Sequence, residues 1–569
     1  MPLYDLVLVH APSVYDFRRR GGLYGPVADL IPSTPVFEMY PIGFTTIASL
    51  LNGEGYRVRI LNLASHMLAD GRFDAERALR KIRARVFGID LHWLPHAHGS
   101  LEIAKLIRRT HPGSRIVMGG FSATYYHDQI LRGHGQVDAV FLGDSAELPM
   151  LEYMKAMDSG RPMDHVPNLA FRDDHGAVKS NGITHIVSDL DEVGFDYGFM
   201  VRSAIRSLDL TGHLPYLDWK RNPMLLVSTV RGCSHGCLTC MGSCGSFQRN
   251  FGRAKPAFRS PEKVIEDIAQ IESYFTGAIF ILGDIQQPGS GYAERLLSLL
   301  REQRPRSEIA FEFFSPPAGG LIDMISGSVE RYNVQISPDS HDPGVRGAIG
   351  RGYSNMSLES SISRFLKSGA NRVDLFFMIG LPGQDAESVL QTVEYSSRLM
   401  KEMGVRERLM PFISPLAPFI DPGSCAFEEP DKHGYRLFAR TLEEHRKLLT
   451  MPSWKHVLNY ETSWLTREQI VDSTYSAGLK LNDAKEAVGA ISGESASAVR
   501  GRTKLAWEAV RKIDLAMQSA DPEEALGSIG EEIGDLSEST VCNKRELDWT
   551  KRSIYWSMPR ALIAAIQGK

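Results

Sequence analysis

Residues 224–245 read MLLVSTVRGCSHGCLTCMGSCG, and this stretch decides how the rest of the chain is read. Residues 224–230 are mostly apolar and β-branched, the composition of a buried strand. They run directly into Cys233, Cys237 and Cys240, a C-x3-C-x2-C spacing set among Gly232, Gly236 and Gly242. Glycines let a backbone wrap closely round a bulky group. Three thiolates hold three irons of a 4Fe–4S cube and leave the fourth open to a ligand, whereas an electron-transfer cluster normally takes four cysteines. A structural zinc site with Cys244 as fourth ligand is the competing reading. Zinc ligands usually come in C-x2-4-C pairs with a long gap between pairs, and that gap is absent here. Cys244 itself reads as a small buried apolar residue, the commonest state of a free cysteine, with a fourth ligand and a catalytic thiol as alternatives.

Working outward, the other two cysteines are Cys425 and Cys542, so four of six lie within twelve residues. A disulfide-stapled protein would be denser in cysteine, and in a reducing compartment such a cluster holds a metal or an iron–sulfur centre. The 569 residues are 43% hydrophobic and 23% charged, which excludes a disordered or collagen-like chain and suggests three or four domains. Sixty-four basic residues against 68 acidic ones demote a dedicated nucleic-acid binder. No apolar run approaches the ~20 residues of a membrane helix, and the N-terminus lacks the pattern of a signal peptide. The expectation is a cytoplasmic protein without a membrane span.

Downstream of the cysteines, further strands are expected at 278–282, 309–314, 332–336, 372–379 and 409–414. Helical patterns fall between them, as at 261–274 and 293–301. This predicts a partial (β/α) barrel with its site at the carboxyl ends of the strands. Upstream, strand-like runs at 4–10, 56–61, 85–91, 114–119 and 137–143 alternate with helical stretches at 41–51, 99–110, 124–131 and 147–157. That predicts a flavodoxin-like (Rossmann-type) α/β domain. The connection 11–40 is long and contains Arg18, Arg19 and Arg20; loops of that length are uncommon unless functional. We divide the chain into this domain at 1–165, a hairpin and linker at 166–222, the barrel at 223–428 and a mainly α-helical region at 429–569. Helices are expected in the last at 435–449, 467–479 and 503–517.

C-x3-C-x2-C after the first barrel strand resembles the radical S-adenosylmethionine (SAM) superfamily. The resemblance implies that the open iron binds SAM and that electron transfer releases a 5′-deoxyadenosyl radical. Thr239 departs from the aromatic residue usual before the third cysteine. Gly283 and Asp284 match the turn that would meet the SAM amino group. Ser337, Asp339 and Ser340 end the fourth strand, Arg351 matches a downstream basic position, and Gly380, Leu381 and Pro382 resemble the adenine-side G-x-P turn. These residues are the SAM-binding candidates. The stretch ISPLAPFIDPGS, 413–424, resembles the sixth-strand turn of the cobalamin-dependent branch.

MYPIGFTTIASLLNGEGYRVRILNLA (39–64), VMGGFSATYY (117–126) and VFLGDSAELPMLEYM (140–154) occur in that order and resemble the cobalamin-binding domain that precedes the barrel in that branch, class B; the chain as a whole resembles a group of cobalamin-binding radical SAM proteins. By this resemblance Gly119, Gly120 and Ser122 would allow the nucleotide tail to approach, and Gly143, Asp144 and Ser145 would line the corrin side chains. Asp90 and His92 are weaker candidates. Asp90-Leu91-His92 lacks the glycine of the D-x-H-x-x-G signature and follows the third strand, not the first. The plainer reading is Asp90 paired with a loop histidine. The arginines of the long loop either face solvent or cover the lower face of cobalamin.

The cofactors implied are a 4Fe–4S cluster, SAM and cobalamin. The partners implied are an organic substrate and an external electron donor such as flavodoxin or ferredoxin. No catalytic side chain is assigned. The leading expectation is methylation of an unactivated carbon. A rearrangement or cyclisation without methyl transfer is the alternative, and a non-catalytic iron–sulfur or corrinoid carrier the remote one. Trp454, Tyr460 and Trp464 are expected either to line the substrate pocket or to pack helices on the core.

Overall fold

The structure is a computed structural model, and it describes residues 3–20, 22–26, 33–173, 175–416, 418–530, 536, 540–549 and 555–556. Parts of the long loop 11–40, and residue 417 of the sixth-strand turn, lie outside the described residues.

The first sheet contains β1 (Leu3–His10), β2 (Val58–Asn62), β3 (Arg83–Asp90), β4 (Arg115–Gly119), β5 (Ala139–Phe141), β6 (Leu169–Arg172) and β7 (Val178–Ser180). Their order is β2-β1-β3-β4-β5-β6-β7. The first five are parallel, in the flavodoxin-like order. The hairpin expected near 168–179 forms, and it extends this sheet as two antiparallel strands beyond β5. Helices cover both faces, so the strands read as near-continuous apolar runs: Leu6, Val7, Leu8 and Val9 are all buried.

The second sheet is a six-stranded open barrel. β8 (Met224–Ser228) is followed by a short ladder of β9 (Val230–Arg231) and β10 (Ala257–Phe258) and by β11 (Phe275–Thr276). The remaining barrel strands are β12 (Ala278–Leu282), β13 (Glu308–Phe313), β14 (Tyr332–Asp339), β15 (Arg372–Ile379) and β16 (Leu409–Pro415). The order β16-β15-β14-β13-β12-β8 is parallel throughout. Alternation sorts the side chains by face. Ile279, Ile281, Phe311, Phe313, Val334, Leu375 and Phe377 join the core under the helices. Phe280, Ala310, Phe376, Met410 and Phe412 face the lumen, where Trp549 and Cys542 from the C-terminal segment fill the floor.

Four local expectations are corrected. The stretch 124–131 is not one helix but two, Phe121–Tyr125 and His127–Gly133. The break is at Tyr126, whose buried ring leaves helical geometry so that its hydroxyl donates to the Arg440 carbonyl at 2.9 Å. The linker to residue 222 contains a helix, Tyr197–Ser207, capped by Asp196. The stretch 435–449 begins as β17 (Tyr435–Leu437), paired with β18 (Tyr460–Thr462), and turns helical only at Leu442–Leu449. Thr441 and Glu444 set that start with a reciprocal capping box. The last two helices are longer than expected, Arg467–Ala487 and Gly493–Met517. They pack as an antiparallel pair, and the first lies along the barrel helix Ala386–Met403. A final strand, β19 (Tyr555–Trp556), pairs with β11. Among the described residues no helix is long and apolar enough to cross a membrane.

Candidate functional site

The three cysteines occupy the loop that leaves β9 at the carboxyl end of the barrel. Gly232 turns this loop with φ +92°, and a Cβ there would come within 2.7 Å of Arg253 Cδ. The Cys233 sulfur accepts from the His235 N–H at 3.4 Å and the Cys240 sulfur from the Gly242 N–H at 3.2 Å. Such bonds favour thiolates. Burial works against this at Cys233, pushing its thiol up to about 11, with the neighbouring Cys237 and Cys244 thiols adding to it. The thiols therefore sense one another. Yet among the described residues no three His, Cys, Asp or Glu side chains converge on a single ion.

The loop is clamped from outside. Asp421 accepts from the Met241 N–H at 3.0 Å, and Ala426 donates its N–H to the Leu238 carbonyl at 3.1 Å. Gly350, at φ +95°, lies so close that a Cβ would stand 2.9 Å from the Gly236 carbonyl oxygen. Cys244 corrects the sequence reading, since it is exposed and not buried. It opens the helix Cys244–Phe251, its N–H donates to the His235 carbonyl at 2.8 Å, and its sulfur lies beside Gly236, near enough to Cys233 to push that thiol upward.

The SAM candidates gather at the same end of the barrel, but with different freedom. Gly283 has φ +110°, and a Cβ would meet Val230 at 2.5 Å. Asp284 has both oxygens engaged, accepting from the Gln286 N–H at 2.9 Å and the Phe314 N–H at 3.0 Å, so it builds the turn. The free acid here is Glu312, which the sequence reading missed. One oxygen accepts from the Gly283 N–H at 2.5 Å, and burial with Asp284 nearby pushes the group up to about 7. Its signal was the alternation of β13, which sets Glu312 on the lumen side between Phe311 and Phe313.

Asp339 ends β14 at φ +63°, and its Oδ1 is buried without a hydrogen-bond partner. Burial pushes it up to about 6, while Arg351 and Arg346 pull the other way. Arg351 also donates to the Ser337 carbonyl. Ser340 is fully buried and accepts from the Asp342 N–H at 3.1 Å, so it shapes the turn. Gly380 turns at φ +96°, and Gln384 accepts the N–H groups of Gly380 and Leu381 at 2.9 and 3.3 Å; Pro382 is buried beside them. A Cβ at Gly380 would meet the Tyr460 hydroxyl at 2.6 Å, so Tyr460 packs this turn. Trp454 is also buried, donating to the Tyr475 hydroxyl at 2.9 Å, whereas Trp464 is half exposed.

In the N-terminal domain the candidates lie at the carboxyl ends of β3, β4 and β5. Asp90 is paired not with a loop histidine but with His10, at the end of β1, at 2.9 Å. The other His10 nitrogen meets the Phe37 carbonyl at 2.9 Å, so both nitrogens face acceptors, and Asp90 and this bond hold the imidazole up against the opposing effect of burial. His92 is pushed down to about 4 by burial and packs against Phe121, the rings tilted by 38° with centroids 4.5 Å apart. Gly120 has φ +114° and touches the His92 backbone, where a Cβ would stand 2.5 Å from its Cα. Ser122 donates to the His92 carbonyl at 3.3 Å. Gly119 is roomier, a Cβ there meeting only Phe141 at 3.7 Å. Gly143 turns at φ +83°, but Asp144 and Ser145 point away into the barrel contact described below. Arg18 is tied to Asp16 and to the carbonyls of Gly71 and Phe73, while Arg19 is 87% exposed.

Two domain families match this geometry. The B12 binding domain matches residues 30–150, and the radical SAM superfamily matches residues 227–396. The chain is a cobalamin-binding radical SAM protein, and the cofactors of that class are a 4Fe–4S cluster, SAM and cobalamin. It is 23% identical over 471 residues to the cytidylyl-2-hydroxyethylphosphonate methyltransferase of Streptomyces wedmorensis, covering 73% of this chain and 84% of that one. It is 26% identical over 198 residues to the anaerobic magnesium-protoporphyrin IX monomethyl ester cyclase of Rubrivivax gelatinosus, covering 33% of this chain and 31% of the cyclase. The fold is shared with the radical SAM methyltransferase TsrM of Kitasatospora setae, solved with cobalamin and a [4Fe–4S] cluster. There the TM-score is 0.57 and the identity 14%, over 89% of this chain and 99% of TsrM.

Proposed function

We propose that this protein methylates an unactivated carbon of an organic substrate. The observation that carries the reading is the facing of the cysteine loop and the carboxyl ends of β3–β5 across Phe121, whose ring packs on Phe247 and Phe251 of the helix after the cysteines at 5.4 and 4.7 Å. Similarity to a methyltransferase over most of both chains supports it. When bound, the cluster with SAM supplies a hydrogen-abstracting radical, and cobalamin supplies the methyl carrier.

The chain's own residues bind and orient. Cys233, Cys237 and Cys240 would hold the cluster. Gly283, Glu312, Ser337, Asp339, Arg351 and the turn of Gly380, Leu381 and Pro382 would hold SAM, with Asp284 and Ser340 shaping its turns. Glu312 and Asp339 would each offer an oxygen to ammonium or hydroxyl donors. Gly119, Gly120, Ser122, Gly143 and His92 would face cobalamin, with Asp90 fixing the loop behind them. The apolar floor of Phe280, Phe376, Phe412 and Trp549 closes the lumen from below and keeps water from reaching the mouth that way. The domain limits at 165, 222 and 428 belong to the same reading.

The test is anaerobic turnover with methyl-labelled SAM, a reductant and the substrate. S-adenosylhomocysteine and 5′-deoxyadenosine are expected in near-equal amounts, with the label in the product. A product carrying no label, formed with 5′-deoxyadenosine, would instead support a rearrangement or cyclisation. Partial similarity to a cyclase favours that second reading.

A further inference from the structure

The segment that carries the cluster cysteines is fastened at both ends to the N-terminal domain, at the loop after β5 and at the start of the helix Glu147–Ser159. Arg231, two residues before Cys233, donates to both oxygens of Glu147 at 2.7 and 3.1 Å. Glu147 is buried and also accepts from the Thr46 hydroxyl at 2.7 Å. Arg253, just past the helix Cys244–Phe251, grips both oxygens of Asp144, one at 3.0 Å, and also reaches Ser145 Oγ and the Val187 carbonyl. The side chains of Arg253 and Asp144 are 3% and 2% exposed. Gly232 has no room for a Cβ beside Arg253, so the bridge also fixes the turn that leads into Cys233.

Asp144 lies in the β5 loop that begins at Gly143, which the proposed function places against cobalamin, and Glu147 opens the helix that follows this loop. Buried bidentate pairs have one good geometry, and opening either would strand a charge away from water. The cysteine loop and the β5 loop therefore move as one body or not at all.

We propose that Arg231 and Arg253 are positioning residues that couple the two cofactor sites, so that a filled cluster site strengthens cobalamin binding and the reverse. The inference rests on the cobalamin reading of the β5 loop. Coupling of this kind is reciprocal by linkage and typically amounts to a factor of about 5 or more.

The experiment uses the full chain, cluster-free or anaerobically reconstituted, and measures the Kd of hydroxocobalamin by equilibrium dialysis. In the unaltered protein the cluster should tighten the Kd at least about fivefold. In Arg253→Met that ratio should fall to one while iron content and cobalamin binding each persist. Arg231→Lys, at the less buried bridge, guards against a folding failure and should give an intermediate ratio. Addition of hydroxocobalamin should also shift the EPR signal of the reduced cluster in the unaltered protein but not in Arg253→Met. A ratio of one in the unaltered protein, or an unchanged ratio in both variants, would overturn the coupling. Failure of the unaltered protein to bind cobalamin would remove the reading of the domain and the coupling with it.

Discussion

Arg351 Nε lies 2.8 Å from Asp339 Oδ2, and the same guanidinium reaches the Cys237 thiol. One cation thus stands between the turn at the end of β14 and a cysteine of the cluster loop. A nearby positive charge favours the electron-rich, reduced form of a cluster. Arg351→Met is therefore expected to keep four irons and lower the midpoint potential by on the order of 100 mV. An EPR-monitored redox titration measures this; an unchanged potential would place Arg351 too far from the cluster to matter.

Removal of individual thiols tests whether Cys244 is a fourth ligand. Cys233→Ala, Cys237→Ala and Cys240→Ala should each abolish iron retention, because thiolates are the soft ligands grouped here. Cys244→Ala should keep about four irons and four sulfides per chain. Iron and sulfide counts after anaerobic reconstitution decide it, and cluster loss in Cys244→Ala would mean four-cysteine ligation.

Glu312 gives a pH signature. Burial raises its folded value to about 7, above the ordinary glutamate range. The stability it confers is fully present at low pH, below the unfolded value, and is lost as pH rises through 7. Glu312→Gln can still accept from the Gly283 N–H but carries no charge. Its melting temperature should match the parent near pH 4.5 and exceed it at pH 8.5, a gain of up to about 3 kcal/mol. Thermal melts of the cofactor-free protein across that range test the sign, and a variant less stable at high pH would contradict it.

Much of this arrangement was legible in the sequence, and the failures have physical causes. The apolar runs of parallel strands gave the sheet order, and C-x3-C-x2-C marked the cluster loop, because both are local patterns. The partners of Asp90, Asp144 and Glu147 were not legible, since His10, Arg253 and Arg231 lie 80, 109 and 84 residues away. Asp284 matched the acid of a SAM turn, but its oxygens are engaged by the Gln286 and Phe314 amides. Residues 435–437 fit a helical pattern until a partner strand 25 residues on took them into an antiparallel pair.

Gly120 was expected to matter through cobalamin, and the structure gives it an earlier role. Its φ of +114° and its contact with the His92 backbone make any side chain costly before a cofactor arrives. Gly120→Ala should destabilise the cofactor-free protein by about 2–4 kcal/mol. Gly119→Ala should be nearly neutral there, and Gly119→Leu should weaken cobalamin binding selectively. Denaturation without cobalamin distinguishes them, and a stable Gly120→Ala protein would refute the packing argument.

Trp549 closes the barrel floor, stacked on Phe280 and donating to Asp374 Oδ2 at 2.8 Å. Trp549→Ala leaves a cavity and removes one of the two donors to Asp374 Oδ2, the other being Arg372 Nη2 at 3.1 Å, so a loss of about 3–5 kcal/mol is expected, mostly from the cavity. Urea unfolding measures it; a loss below about 1 kcal/mol would mean that the C-terminal segment does not seal the lumen.

Methyl transfer through cobalamin is tested most directly without any substrate. Reduced, reconstituted protein holding cobalamin is mixed anaerobically with SAM labelled in its methyl group, and the cobalamin is recovered for mass spectrometry. The account predicts labelled methylcobalamin together with an equal amount of S-adenosylhomocysteine. SAM consumed only to 5′-deoxyadenosine, with the cobalamin unlabelled, would contradict it.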